Sequence, residues 1–261
     1  MGMNKRIGSI TFFVSLLIIF SFGYYYFKNN KELFDVNSNI QFMSKDETAH
    51  FIYTDPDLYM SNLSPTDLYA RKYQSIDDYI MNSAKSAVSF TEKEQNALIN
   101  AANKADRFFN SVNISEINCK KIAEIQWVFA LTKTPTYENG LPHTRGSIIF
   151  LSSVTNFKDI TELTKLLIHE KIHLYQRIYP EEVGVYLENH GFTKWKLRTG
   201  IPRIRANPDL DPWIYYDETN KKEMASYYNS DTPYAIEDAT STGSLEHPNE
   251  MIAYKISQMY S

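Results

Sequence analysis

Residues 159–180 read DITELTKLLIHEKIHLYQRIYP, and this stretch decides how the rest of the chain is read. Asp159 followed three positions later by Glu162 is a helix-start pattern with Asp as the cap, and Pro180 is a stop signal, so the spacing predicts a helix over 160–178. Leu166, Leu167, Ile168, Ile172 and Leu174 make that helix apolar on more than one side, which predicts that it is largely buried. In its middle stands His169-Glu170-Lys171-Ile172-His173, an HExxH sequence, and two histidines on a buried helix need a reason to be there. The interval of four puts both imidazoles on one face, one turn apart. They can then grip a single tetrahedral ion while Glu170 projects beside them to reach metal-bound water.

Two histidines do not complete a catalytic zinc site, which usually takes three protein ligands and leaves one position for water. Two residues are candidates for the third: His190, in Glu188-Asn189-His190-Gly191, and Glu250, in the first turn of a helix predicted over 248–260. Glu250 is the better placed, because a helix is a rigid platform from which to aim a carboxylate. Pro248 suits a first helical turn, and Ile252, Ile256 and Met259 follow at helical spacing. The metzincin continuation HExxHxxGxxH is absent, since Gln176 and Tyr179 occupy the places of its Gly and third His.

An HExxH helix followed by a later helix with an NExxA-type sequence, here Asn249-Glu250-Met251-Ile252-Ala253, resembles the gluzincin branch of the zinc metallopeptidases. The resemblance implies an α+β, zincin-like metallopeptidase domain with helices on one side of a small sheet. It implies one Zn2+ ion held by His169, His173 and Glu250, with Glu170 as general base on zinc-bound water, and a peptide or protein substrate. Such a reaction also wants a donor for the tetrahedral oxyanion; His143 and His247 are the candidates, with Tyr215 and Tyr216 weaker ones. The stretch 147–151 resembles the edge strand along which these peptidases hold an extended substrate. The alternative is a catalytically silent, membrane-anchored binding or scaffold protein with a zincin-like fold, against which the presence of Glu170 argues.

Around this centre the remaining elements are coarser. Thr91-Glu92-Lys93-Glu94 is a capping-box pattern ahead of Leu98, Ile99, Ala102, Ala105 and Phe109, which predicts a helix. The stretches 125–131 and 147–151 are short and rich in β-branched and aromatic residues, and read as two strands. From Gly200 to Pro233 the prolines and tyrosines predict a long, irregular, packed loop. Lys194, Lys196, Arg198, Arg203 and Arg205 read as solvated surface.

The N-terminus is a different substance. Residues 7–27 carry no charge, Lys5 and Arg6 precede them, and Tyr24, Tyr25 and Tyr26 sit at the far end. This predicts an N-terminal membrane anchor over 1–28, favoured over a cleaved signal peptide because the apolar run is long and ends in bulky residues. A polar linker over 29–45 and the zincin-like domain over 46–261 follow. The protein is expected to be a single-pass membrane protein with its catalytic domain on the non-cytoplasmic side. A net charge of −4 gives no basic footprint for nucleic acid. The single Cys119 excludes a disulfide framework and leaves His and Glu as the plausible metal ligands. The oligomeric state is left open.

Overall fold

Ser44, Ser64, Ser75, Thr91 and Asn118 each accept a hydrogen bond from the backbone N–H three residues on, and these five caps set the helix starts of the first half of the chain. The computed structural model describes residues 39–133, 135–243 and 245–261. In chain order its first half runs β1 (Ile40–Phe42), α1 (Lys45–Thr54), α2 (Pro65–Ala70), α3 (Ile76–Lys85), β2 (Ala87–Val88), α4 (Glu92–Ser111), α5 (Cys119–Glu124) and β3 (Trp127–Thr132). The second half runs β4 (His143–Arg145), β5 (Ile148–Ser152), α6 (Ile160–Ile178), α7 (Pro180–Asn189), β6 (Phe192–Leu197), β7 (Trp213–Asp217), β8 (Lys222–Met224), β9 (Ser226–Tyr228), β10 (Ala239–Ser241) and α8 (Pro248–Ser257).

The main sheet has the order β1-β3-β5-β4, with β2 also paired to β3. The β1–β3 and β3–β5 pairings are parallel, and β4 runs antiparallel to β5. Every residue of β3 and β5 is buried, the signature of strands covered on both faces. Their alternation says by what. Trp127, Phe129, Leu131, Ile149 and Leu151 point into the larger core with α4, α5, α6 and α8; Val128, Ala130, Ile148 and Phe150 point into a second core with α1, α2 and α3.

This corrects the expected architecture. The fold is a mixed α/β arrangement with eight α-helices and three separate sheets among the described residues, and helices cover both faces of the main sheet. The expectation of helices on one side fails because β3 is buried along its whole length and needs a cover on each face. The membrane anchor and the single-pass location drawn from it are likewise not supported. Among the described residues no helix is long and apolar enough to cross a membrane, and residues 7–27 lie outside them. Two boundaries also move. Strand β1 takes residues 40–42 of the expected linker into the sheet, and the expected loop after Gly200 contributes β7 and β8 to an antiparallel sheet with β6. Those strands are three to six residues long and interrupted by turns, so periodicity gave little to read.

Candidate metal centre

Helix α6 starts on Asp159, whose side chain accepts from Thr161 and Glu162 N–H, and ends at Ile178 before Pro180 opens α7. Leu163, Leu167, Ile168, Ile172 and Leu174 embed it in the larger core, so its rotation about its own axis is fixed by packing. Lys171 adds to this from within the motif: it is buried, ion-paired with Asp106, and lies 4.0 Å over the Trp127 ring. With the helix so locked, His169 and Glu170 face a cleft of ≈560 Å³ between α6, α8 and the loop after β6, and His173 is buried one turn on from His169.

In that cleft His169 Nε2 and His173 Nε2 stand 3.0 Å apart, and Glu250 Oε2 lies 3.5 Å from the first and 3.7 Å from the second. The three ligand atoms fall within 4.8 Å of one another. His173 Nδ1 donates to Gln176 Oε1 at 2.9 Å, and the Gln176 amide is itself fixed by donating to the Asn249 carbonyl at 3.0 Å. In the neutral ring the proton is therefore on Nδ1, and Nε2 presents a lone pair to the cleft, the tautomer a metal needs. Two imidazole nitrogens and one carboxylate oxygen, with room for a fourth ligand, are the donor set of a catalytic zinc site. The residues fit the ion.

The electrostatics point the same way. Burial alone would lower the pKa of His173, but the Glu250 and Asp209 carboxylates outweigh it and raise it to about 10. Glu250 is held well below the ordinary carboxylate range, against the effect of burial, by His173 and His169. A positive charge is thus wanted where the three ligand atoms converge, and a proton or a divalent cation can supply it. Glu170 is 2 % exposed, and its Oε2 has no hydrogen-bond partner among the described residues. Burial first, then Asp209 and Glu250, push its carboxyl well above the usual range.

The other expected residues divide. His190 is remote from the cluster: its ring hydrogen-bonds the Tyr186 carbonyl at 2.8 Å and stacks on Tyr186. His247 does not line the cleft. Its Nδ1 accepts from Asn249 N–H at 3.1 Å as the N-cap of α8, and its Nε2–H is directed to Asp211 and the Trp213 carbonyl. Tyr215 donates to Asp211, and Tyr216 stacks on Trp195. His143 does line the cleft, on β4, with Nδ1–H donating to the Leu141 carbonyl at 2.8 Å and Nε2 buried without a partner. Burial lowers its pKa and so favours the neutral ring, in which the buried Nε2 is an acceptor and not a donor.

Strand β5, expected as the edge, is interior; the edge is β4. There Thr144 N–H and Oγ1 already donate to Asp209 Oδ1 at 2.6 and 2.9 Å, so a loop side chain occupies the donor that an extended substrate would use. Arg205 and Arg198, expected as solvated surface, are half-buried, with Arg205 ion-paired to Glu246 and Arg198 donating to the Arg205 carbonyl. Three site residues escaped the sequence reading. Gln176 sits one turn after His173 on the same helix, where spacing alone could have found it. Asn207 and Asp209 lie in the loop between β6 and β7, where only tertiary structure brings them to the cleft. No protein-family model, no curated protein and no solved structure matches this chain.

Proposed function

We propose that the protein is a zinc-dependent metallopeptidase of the gluzincin type, with His169, His173 and Glu250 as zinc ligands and Glu170 as general base. The observation that carries this is the convergence of His169 Nε2, His173 Nε2 and Glu250 Oε2 beside a buried Glu170 carboxylate oxygen with nothing to bond to. A bound zinc ion supplies Lewis acidity, which lowers the pKa of water and polarises a carbonyl.

The chain's own residues do the rest. Glu170 Oε2 accepts a proton from the attacking water and later delivers it to the departing amine nitrogen. Desolvation raises its proton affinity, which suits an atom that takes a proton and gives it back. Gln176 keeps the proton of His173 on Nδ1, so that Nε2 stays available as a ligand. The unpartnered Glu170 carboxylate favours an enzyme over a silent scaffold, which has no use for a base.

Two measurements test the reading on the purified full-length chain. It should carry zinc in a one-to-one ratio, and absence of stoichiometric zinc would overturn the proposal. Glu170→Gln should lower hydrolysis of a mixed peptide library by roughly 10²–10⁴-fold while zinc stays bound; undiminished turnover would show that the base is elsewhere.

A further inference from the structure

We propose that Asn207 is a positioning residue for the third ligand: its side-chain amide bridges Glu246 and Glu250 and leaves Glu250 one free oxygen, turned toward the two imidazoles. This rests on the zinc-site reading above and deepens it.

Asn207 Nδ2 donates to Glu246 Oε1 at 2.7 Å and to Glu250 Oε1 at 3.1 Å, while its Oδ1 accepts from Asp209 N–H at 2.9 Å. All three groups leave no choice of amide orientation. An ionised carboxylate only accepts and a backbone N–H only donates, so a flipped amide would set its oxygen against two carboxylates and its NH2 against an N–H. Both hydrogens of the amide are consequently spent on the two glutamates. With Oε1 of Glu250 engaged, Oε2 is the atom that faces His169 and His173, at 3.5 and 3.7 Å.

The residue is held as firmly as what it holds. Glu246 is buried and paired with Arg205. The backbone around Asn207 is pinned on both sides: Arg205 N–H to the Ser226 carbonyl at 2.9 Å, Ala206 N–H to Asp67 at 2.8 Å, and the Pro208 carbonyl to Arg177 at 2.8 Å. Without the amide, two carboxylates would face each other with no donor between them, and the Glu250 head group would be free to turn its other oxygen inward or swing away. Ligand carboxylates that are hydrogen-bonded from outside bind metal more tightly than free ones.

The test is zinc affinity of the full-length protein, measured with Zn2+ against a competing chelator, with the visible absorption of the Co2+-loaded protein as second readout. Asn207→Ala and Asn207→Asp should each weaken zinc binding by roughly 10–100-fold and change the Co2+ bands. The aspartate is the decisive variant. It is isosteric and still accepts from Asp209 N–H, so the loop keeps its internal bond, while the donors to Glu246 and Glu250 are lost and a like charge is set beside them; circular dichroism checks its fold. If the wild-type chain binds zinc and folded Asn207→Asp binds it as tightly with unchanged Co2+ bands, the positioning role is wrong and the zinc site stands. If the wild-type chain takes up no stoichiometric zinc, both fall together.

Discussion

Two glutamates line the same cleft, are buried to nearly the same degree, and titrate in opposite directions. Glu138, 4 % exposed, accepts from Arg71 Nε at 3.0 Å, Arg71 Nη2 at 2.6 Å and Tyr79 Oη at 2.6 Å. Burial would raise its pKa, but Arg71 overrides burial and holds it at about 2. Glu170, 2 % exposed, has one oxygen with no partner, and its pKa is driven up. The cost of burial is the same for both carboxylates; what differs is whether the fold supplies the donors. Glu138 belongs to a finished network and does structural work. Glu138, Asn139 and Gly140 stand at φ of 44°, 54° and 76°, a left-handed run that Gly140 adopts freely and Asn139 tolerates, so the strain falls on Glu138. Glu170 is left unfinished inside an otherwise well-packed helix, and an unpartnered buried carboxylate oxygen is the feature on which its proposed role as a base rests.

Breaking the finished network should have the largest effect on stability. Glu138→Gln leaves the buried Arg71 guanidinium with Asp67, 3.6 Å away, as its remaining counter-charge, and should cost about 3 kcal/mol in urea unfolding at pH 7. A loss under about 1 kcal/mol would show that the ion pair does not hold the cleft wall. Because the folded pKa lies below the unfolded one, this contribution is present above pH 4.5 and is lost as pH falls from about 4.5 toward 2. The variant's unfolding free energy should accordingly vary less with pH over that acid range than the wild type's.

The unfinished glutamate should respond with the opposite sign. In zinc-free protein Glu170→Gln replaces a carboxyl whose charged form is disfavoured by burial with a side chain that carries no charge. It should therefore stabilise the metal-free chain, by about 1–3 kcal/mol at pH 7. A raised pKa means the native state binds the extra proton, so the wild type loses stability as pH rises above the unfolded value; the variant's advantage should shrink toward zero near pH 4. Equal melting temperatures at pH 7 and pH 4 would mean that Glu170 is not desolvated. Zinc should narrow the gap at pH 7, since the ion supplies the positive charge that the fold withholds.

The same contrast explains what the sequence could be made to disclose. Helix α6 and its candidate ligands were legible because one helix carries His169, Glu170 and His173 at the spacing that puts them on one face, and Glu250 was legible because its own helix begins two residues earlier. Finished networks leave no such mark. Glu138 is 67 residues from Arg71 and 59 from Tyr79, and Asn207 is 43 from Glu250, and no local period predicts that they meet. The apolar run in β3 was legible as a strand, but not that Trp127, Phe129 and Leu131 serve one core while Val128 and Ala130 serve another.

The smallest expected effect lies at His247, where a residue that sequence placed in the chemistry stands in the scaffold. Its Nδ1 caps α8 and its Nε2–H is directed to Asp211 and the Trp213 carbonyl, so neither nitrogen is free to meet a substrate. Asparagine is also a good N-cap, and His247→Asn should keep the bond to Asn249 N–H while losing the contact to Asp211. The expected cost is about 0.5–1.5 kcal/mol, the net worth of the hydrogen bond lost at Nε2, read as a small fall in Tm, with zinc stoichiometry intact and kcat within a few-fold of wild type. Losing an oxyanion donor would instead lower kcat by roughly 10²–10³-fold at unchanged stability. Measuring kcat and Tm on one preparation separates the two. A large loss of kcat at unchanged Tm would return His247 to the reacting atoms and require the α8 N-terminus to move in the working enzyme.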